Sequence, residues 1–437
     1  MGGLRSTILL LVVLGGLTGY IYFVDANRDP AAADANPQAF VELSAESIEE
    51  LEIRNDADET SRVRRVDGNW QLVEPAAADA DGGVVGTVTS NLASLEVQRI
   101  VDETPADLAQ YGLDPARVDV AFRLEDQQDF QHLLVGDQTP TGGDFFATRP
   151  DETSVFLVSS FLDLIFNKSS FDLRDKVILK FERDTADGIE IEGESTHLQF
   201  AKTGIDWRIV APIAARADYA AAEELMTRLS STHMQRIVAE EAGDLGPHGL
   251  DQPTMTATVT SGSSRATLLV GRADEDGRLA KDVNRPAVFT VEESLLTDLA
   301  KAASEYRRKD MFDARSFTAT RVETRRGDET LTFEKTGEGE EETWRNAAGQ
   351  NVDTTQVEGL LTTLSNLRAL SFEETANASL ETPALTVTVS FDSDSTETIS
   401  FGRSAIDVFA SRADEPGSAR VDTMAFDEAL EAVDALQ

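Results

Sequence analysis

Landmarks in this chain recur at one fixed spacing. Trp70 in DGNWQLVEP and Trp207 in GIDWRIVAP stand 137 apart, as do Pro75 and Pro212, and Asp81 and Asp218. The string QRIV occurs at Gln98–Val101 and at Gln235–Val238, and Gly112 of YGLDP answers Gly249 of HGLDQP, all in the same register. Five landmarks in one register mark a tandem repeat, in which each copy is a unit of structure. Trp344 opens a third, weaker copy at the same interval after Trp207, with Asp353 ahead of a segment whose Leu364 and Leu367 match Leu92 and Leu95. LETP at Leu380–Pro383 answers LDQP at Leu250–Pro253, and Gly402 of SFGR answers Gly136 and Gly271 of LLVG. Arg174, near the end of copy one, is matched to Arg308. The repeat divides the chain into modules at 40–176, 177–312 and 313–437.

Every copy reads in the same order. Alternating β-branched stretches such as ELEIRN and SRVRRVDG predict strands, and the Trp strand stops at a proline. An Asp then caps an amphipathic helix, read in copy two from Asp218 through QRIV, with Leu225, Leu229 and Ile237 on its apolar face. That reading puts Arg99 and Arg236 at helix C-termini, where a cation suits the dipole. The G-L-D turn follows, with Gly112 and Gly249 at positive φ. More strands come next, with the LVG glycine closing one of them. A short helix such as FLDLIFN ends the unit. The expected fold class is therefore α+β: three tandem modules, each an antiparallel sheet with one main helix.

Ahead of the repeat, Ile8–Val24 runs without a single charge. As a helix this spans about 25 Å, enough to cross a bilayer. Arg5 precedes it, and Asp25, Arg28 and Asp29 follow, which predicts a single-pass anchor over 1–24 with the N-terminus in the cytoplasm. The bulky YIYFV ending disfavours a cleaved signal peptide. Gly15 and Gly19 form the small-residue pair that lets a second membrane helix approach. An Ala/Pro/Asp linker over 25–39 follows.

Composition then narrows the function. The net charge is −40, from 79 acidic and 39 basic residues, which excludes nucleic acid as a partner. Only 8 of the cations are lysine. An acidic, Lys-poor surface suits a saline medium, although a merely acidic protein reads the same. The chain has no cysteine, so disulfides and thiolate chemistry are excluded. His132, His197, His233 and His248 lack metal-ligand spacing. The faint cation loops at Asp79–Gly82 and Asp274–Gly277 miss the EF-hand pattern. No metal, cofactor or catalytic residue is expected. The repeated Trp residues read as core anchors, since a residue recurring at one module position serves the module's own packing.

The assembled pattern resembles the bacterial domain-of-unknown-function family numbered 4340. The matching residues are Trp70 to Pro75, Tyr111 to Pro115, Leu133 to Gly136, Val155-Phe156 and Leu173 to Lys176. In copy two they are Trp207 to Pro212, His248 to Pro253 and Leu268 to Gly271. The resemblance implies an accessory protein of the bacterial inner membrane, its bulk outside the cytoplasm. It also implies a protein partner: an ABC permease of the gliding-motility kind, or that transporter's auxiliary ectodomain protein. A non-enzymatic scaffold is the leading expectation. A solute-binding ectodomain and a carboxylate-dependent envelope hydrolase are the alternatives.

Overall fold

Alternation of buried and exposed residues sets the Trp strand of the middle copy and its neighbour. In Asp206–Ala211, Trp207 and Ile209 point inward while Asp206, Arg208 and Val210 face out. In the neighbouring His197–Thr203, Leu198 and Phe200 are buried on the same face. The structure, a computed structural model, describes residues 38–437 apart from 41–42, 126, 153, 338–341 and 393–394. It divides into two compact units that meet at Lys176/Val177; among the described residues the first holds one large sheet and a two-stranded one, and the second holds two large sheets.

Each of the three large sheets has nine strands in one antiparallel order. In the middle copy that order is Ala215–Arg216, Asp206–Ala211, His197–Thr203, Gly188–Gly193, Met255–Ser261, Ser264–Asp274, Gly277–Asp282, Val288–Val291, Arg236–Ala239. The main helices, Gly82–Ala93, Tyr219–Ser231 and Thr354–Ser365, pack on the sheets. In the middle one, Ala222, Leu225, Met226 and Leu229 are buried, the i, i+3, i+4, i+7 stripe of one helix face. Burying a Leu or Met side chain contributes about 1.5–3 kcal/mol, so this stripe fixes the helix to the sheet. The last copy closes with a longer helix, Thr423–Asp434, which buries Phe426, Ala429 and Val433.

Three expectations are corrected here. The first is the fold class: antiparallel sheet dominates and helices are the minority, so the chain is mainly β rather than α+β. The QRIV segments account for part of the difference. The middle helix ends at Ser231, where Thr232 turns its N–H and hydroxyl back onto the Arg228 carbonyl. Arg236–Ala239 then becomes the outermost strand, with Arg236 opposite Thr290 and Ile237 opposite Phe289. Arg99–Asp102 does the same in copy one. Ile and Val continue the helix's apolar register, but their branched side chains suit the pleated sheet better.

The second correction concerns the LVG glycines. Gly136, Gly271 and Gly402 sit inside strands, not at their ends. Their reason is close approach. A Cβ on Gly271 would lie 2.5 Å from the His248 carbonyl oxygen, and Gly136 and Gly402 face Tyr111 and Ser379 in the same way. The third is the membrane anchor. Among the described residues no helix is long and apolar enough to cross a membrane. Ile8–Val24, with Gly15 and Gly19, lies outside those residues, as does most of the 25–39 linker. The membrane partner, the single-pass orientation and the inner-membrane location are therefore not carried further.

Candidate functional site

The second unit is sewn together by the segment joining its two sheets. Tyr306 and Arg308 bond the edge of the first sheet: the Asp218 N–H donates to the Tyr306 carbonyl (2.7 Å), and the Arg308 N–H to the Arg216 carbonyl (3.0 Å). Immediately after, the Met311 N–H donates to the Leu367 carbonyl (2.9 Å) and the Ala369 N–H to the Lys309 carbonyl (2.7 Å), in the second sheet's module. The stretch from Tyr306 to Met311 so belongs to both.

Side chains then close the junction with charge. Arg216 places Nε 2.7 Å from Glu415 Oε1 and Nη1 2.8 Å from Asp313, and its Nη2 donates to the Asp310 carbonyl. Arg307 reaches the other oxygen of Glu415 at 3.0 Å, and its guanidinium lies 4.0 Å from the centre of the Phe372 ring. Arg412 bonds Glu397 (2.8 Å), Asp414 (3.0 Å) and the Met311 carbonyl (2.7 Å). Glu397 in turn accepts the N–H groups of Asp313 and Ala314. Arg216, Arg307, Arg412 and Glu397 are all buried.

Burial by itself pushes the Glu415 carboxyl upward. The Arg216 charge and its hydrogen bonds, then Arg307, outweigh that and hold it below the usual carboxylate range. Burial likewise opposes the charge of Arg412, but Asp414 and Glu397 raise its pKa further. Three buried cations thus face four carboxylates, of Glu415, Glu397, Asp313 and Asp414. Charges out of water are tolerated only when paired and fully hydrogen-bonded, and this cluster approaches that condition. Chemically it fixes the two sheets relative to each other.

Two open spaces flank the cluster. A cleft of about 740 Å³ is lined by His197, Pro212, Lys301, Arg307, Phe372 and Glu374, among others. A smaller one of about 290 Å³ lies beside the Tyr219–Ser231 helix, lined by Glu224, Arg228, Asp298, Lys301 and Tyr306. Burial above all, then nearby carboxylates, pushes the Tyr306 hydroxyl well above its ordinary range, so it stays protonated and donates to the Asp298 carbonyl. Among the described residues no three His, Asp or Glu side chains are placed to hold a metal ion.

Comparison with known proteins adds one family. The model of a domain of unknown function, DUF4340, matches residues 70–230 and again 207–383, together more than half of the 437 residues. The chain belongs to the DUF4340 family. The first match begins at Trp70 and the second at Trp207, so the family model reads the repeat in the register of the tryptophans. No curated protein matches the chain. Among solved structures, a DNA polymerase sliding clamp from Pseudomonas aeruginosa with ligand aligns over 88% of this chain and 93% of its own, at 10% identity and a TM-score of 0.15. That likeness is too weak to carry either fold or function.

Within the DUF4340 modules, the residues singled out by the repeat lie apart, each serving its own copy. Trp70, Trp207 and Trp344 are buried, and each carries a cation from the opposite strand position: Arg65 at 4.9 Å, Lys202 at 5.1 Å and Lys335 at 5.4 Å from the ring centre. Trp207 also donates to Glu223 (2.9 Å). Asp81, Asp218 and Asp353 cap the main helices by accepting backbone N–H groups. Pro75 and Pro212 follow the Trp strands through cis peptide bonds, and Gly112 and Gly249 are left-handed, at φ 65° and 64°. Asp274 and Asp276 pair with Arg236. His233 lies after the helix, bridged to Val177.

The junction residues of this DUF4340 chain escape the repeat because they are where the copies differ. Strand register makes Asp79, Arg216 and Asn351 equivalent, while Arg412 is the counterpart of Asp282 and, in copy one, of Arg149. Arg174 corresponds to Arg307, not to Arg308, since Ala80 and Ala217 bridge them respectively. A charge of new sign at a repeat position is the signal that would have found Arg216.

Proposed function

We propose that this DUF4340 protein is a non-enzymatic accessory protein, whose second unit is a rigid platform for a protein partner. One observation supports this above the rest: the buried charges of that unit are spent on one another and on backbone groups, across the segment joining its two sheets. Such an arrangement fixes a surface and leaves no reactive group in waiting. The family resemblance supplies the finer reading, an accessory subunit of an ABC-type transporter of the gliding-motility kind; that part rests on the resemblance alone.

The cleft of about 740 Å³ supports a second reading, in which a small solute occupies the groove lined by Lys301, Arg307 and Glu374. Affinity purification of the full-length protein from its native cell, with mass spectrometry of what co-purifies, separates the two. Stoichiometric recovery of transporter subunits is the expected result. Recovery of the chain alone, with a small molecule carried along, overturns the scaffold reading in favour of the cleft.

A further inference from the structure

In two of the three modules, the short strand ahead of the main helix is not a free edge. Ala80 bridges Arg174, and Ala217 bridges Arg307, both antiparallel. Each bridge consists of two backbone bonds. Asp81 N–H donates to the Leu173 carbonyl and Asp175 N–H to the Asp79 carbonyl (2.8 and 2.9 Å); Asp218 N–H donates to the Tyr306 carbonyl and Arg308 N–H to the Arg216 carbonyl. The docked strand is the chain leaving the module. It starts with a buried apolar residue, Leu173 or Tyr306, and continues with a buried arginine, Arg174 or Arg307.

The third module builds the same edge. Trp344 pairs with Val352, Arg345 pairs with Asn351, and Asp353 caps the helix. By register, Asn351–Asp353 is the counterpart of Asp79–Asp81 and Arg216–Asp218. Asn351–Val352 is the outermost strand of its sheet. Among the described residues nothing bonds the Asp353 N–H or the Asn351 carbonyl, and both residues are exposed. An open edge of this kind is a template for another strand.

We infer that Asn351–Asp353 accepts an extended strand of a partner protein, antiparallel, through the two bonds that the linkers make in the other modules. The filled slots define the occupant: an apolar residue, an arginine, any residue with a free N–H, and a lysine, as in Leu173–Lys176 and Tyr306–Lys309. The basic residues suit a chain of net charge −40. A second copy docking through its own N-terminal segment does not fit. Phe40 N–H bonds Leu95 as Ile178 bonds Thr232 and Met311 bonds Leu367. Three residues before each of these in the sequence are Pro37, Asp175 and Arg308, and proline has no N–H to donate.

The inference deepens the scaffold reading and rests on it. Its test uses the full chain and a fluorescein-labelled peptide of residues 303–312, followed by fluorescence anisotropy. Asp353 has φ −64°, which proline adopts, so Asp353→Pro removes the N–H while Asp353→Ala removes only the side chain. The expected result is saturable one-site binding, kept by Asp353→Ala and weakened at least ten-fold by Asp353→Pro. A peptide N-methylated at the Arg308 nitrogen is weakened similarly on the unmodified chain, which keeps the test valid whatever Asp353→Pro does to folding. Absence of saturation, or equal binding of the methylated peptide, overturns the inference. Co-purification of a partner with Asp353→Pro as readily as with the unmodified chain leaves the scaffold standing and removes this edge.

Discussion

Glu415 ties two buried arginines together, because each of its oxygens is committed to one of them. Replacing it by glutamine leaves the buried Arg307 without its anionic partner and Arg216 with Asp313 alone. Removing one member of a buried ion pair costs about 3–5 kcal/mol, and Glu415→Gln should lose that much in urea unfolding. The pH dependence has a definite sign. The folded-state pKa lies below the ordinary glutamate value of about 4.3, so Glu415's contribution is fully present above that pH. It is lost as pH falls through the lower folded value. Acid titration of stability below about pH 4.3 should be steeper for the unmodified chain than for Glu415→Gln; parallel curves would show that the carboxylate is not held down. Gly271 makes a separate prediction. The atom an alanine would strike there is a backbone carbonyl, not the end of a flexible side chain. Overpacking of this kind costs about 1–3 kcal/mol, read as a lower urea midpoint for Gly271→Ala, with Gly262→Ala, where space is open, as the reference at a turn of positive φ.

At the scale of the element, the third copy shows how a module is closed differently. Copies one and two end in pairs of short helices, Asp163–Phe166 with Ser170–Leu173 and Glu293–Leu299 with Ala303–Tyr306. The third uses the single helix Thr423–Asp434, capped by Asp422, whose Phe426 lies 5.1 Å from Phe401. Phe426 is fully buried, so Phe426→Ala should cost about 3–5 kcal/mol, and a loss under about 1 kcal/mol would mean the helix is not part of the core. These elements also mark what the sequence discloses. The Asp caps and the Trp strands follow from local chemistry, a side-chain oxygen facing free amides and a strict in–out alternation. The QRIV strands do not, because Ile237 keeps helical spacing from Leu229 and only pairing with Val288–Val291 decides its state. The Arg216–Glu415 pair is hidden for a different reason: its members lie 199 apart in the chain and depend on how two modules meet.

For the molecule as a whole, charge decides what the cores do not. At −40 over 437 residues, the folded surface repels itself, and compaction makes that repulsion worse than in the open chain. Exposed ion pairs pull the other way, but each contributes only about 0–1 kcal/mol and is itself screened. The cluster of buried Arg216, Arg307, Arg412 and Glu397 with the enclosed side chain of Glu415 is shielded from solvent ions and should hardly respond. Salt therefore relieves the repulsion more than it weakens the pairing, and stability should rise with ionic strength. Thermal unfolding in 0.05 M and in 1 M NaCl measures the balance, since the screening length falls to about 3 Å at 1 M. A higher Tm in molar salt is the expected outcome, with the destabilisation caused by Glu415→Gln unchanged between the two conditions. An unchanged or lower Tm would mean that the 39 cations are paired well enough to offset the excess of acid, and that the acidic surface is not an adaptation to a saline medium.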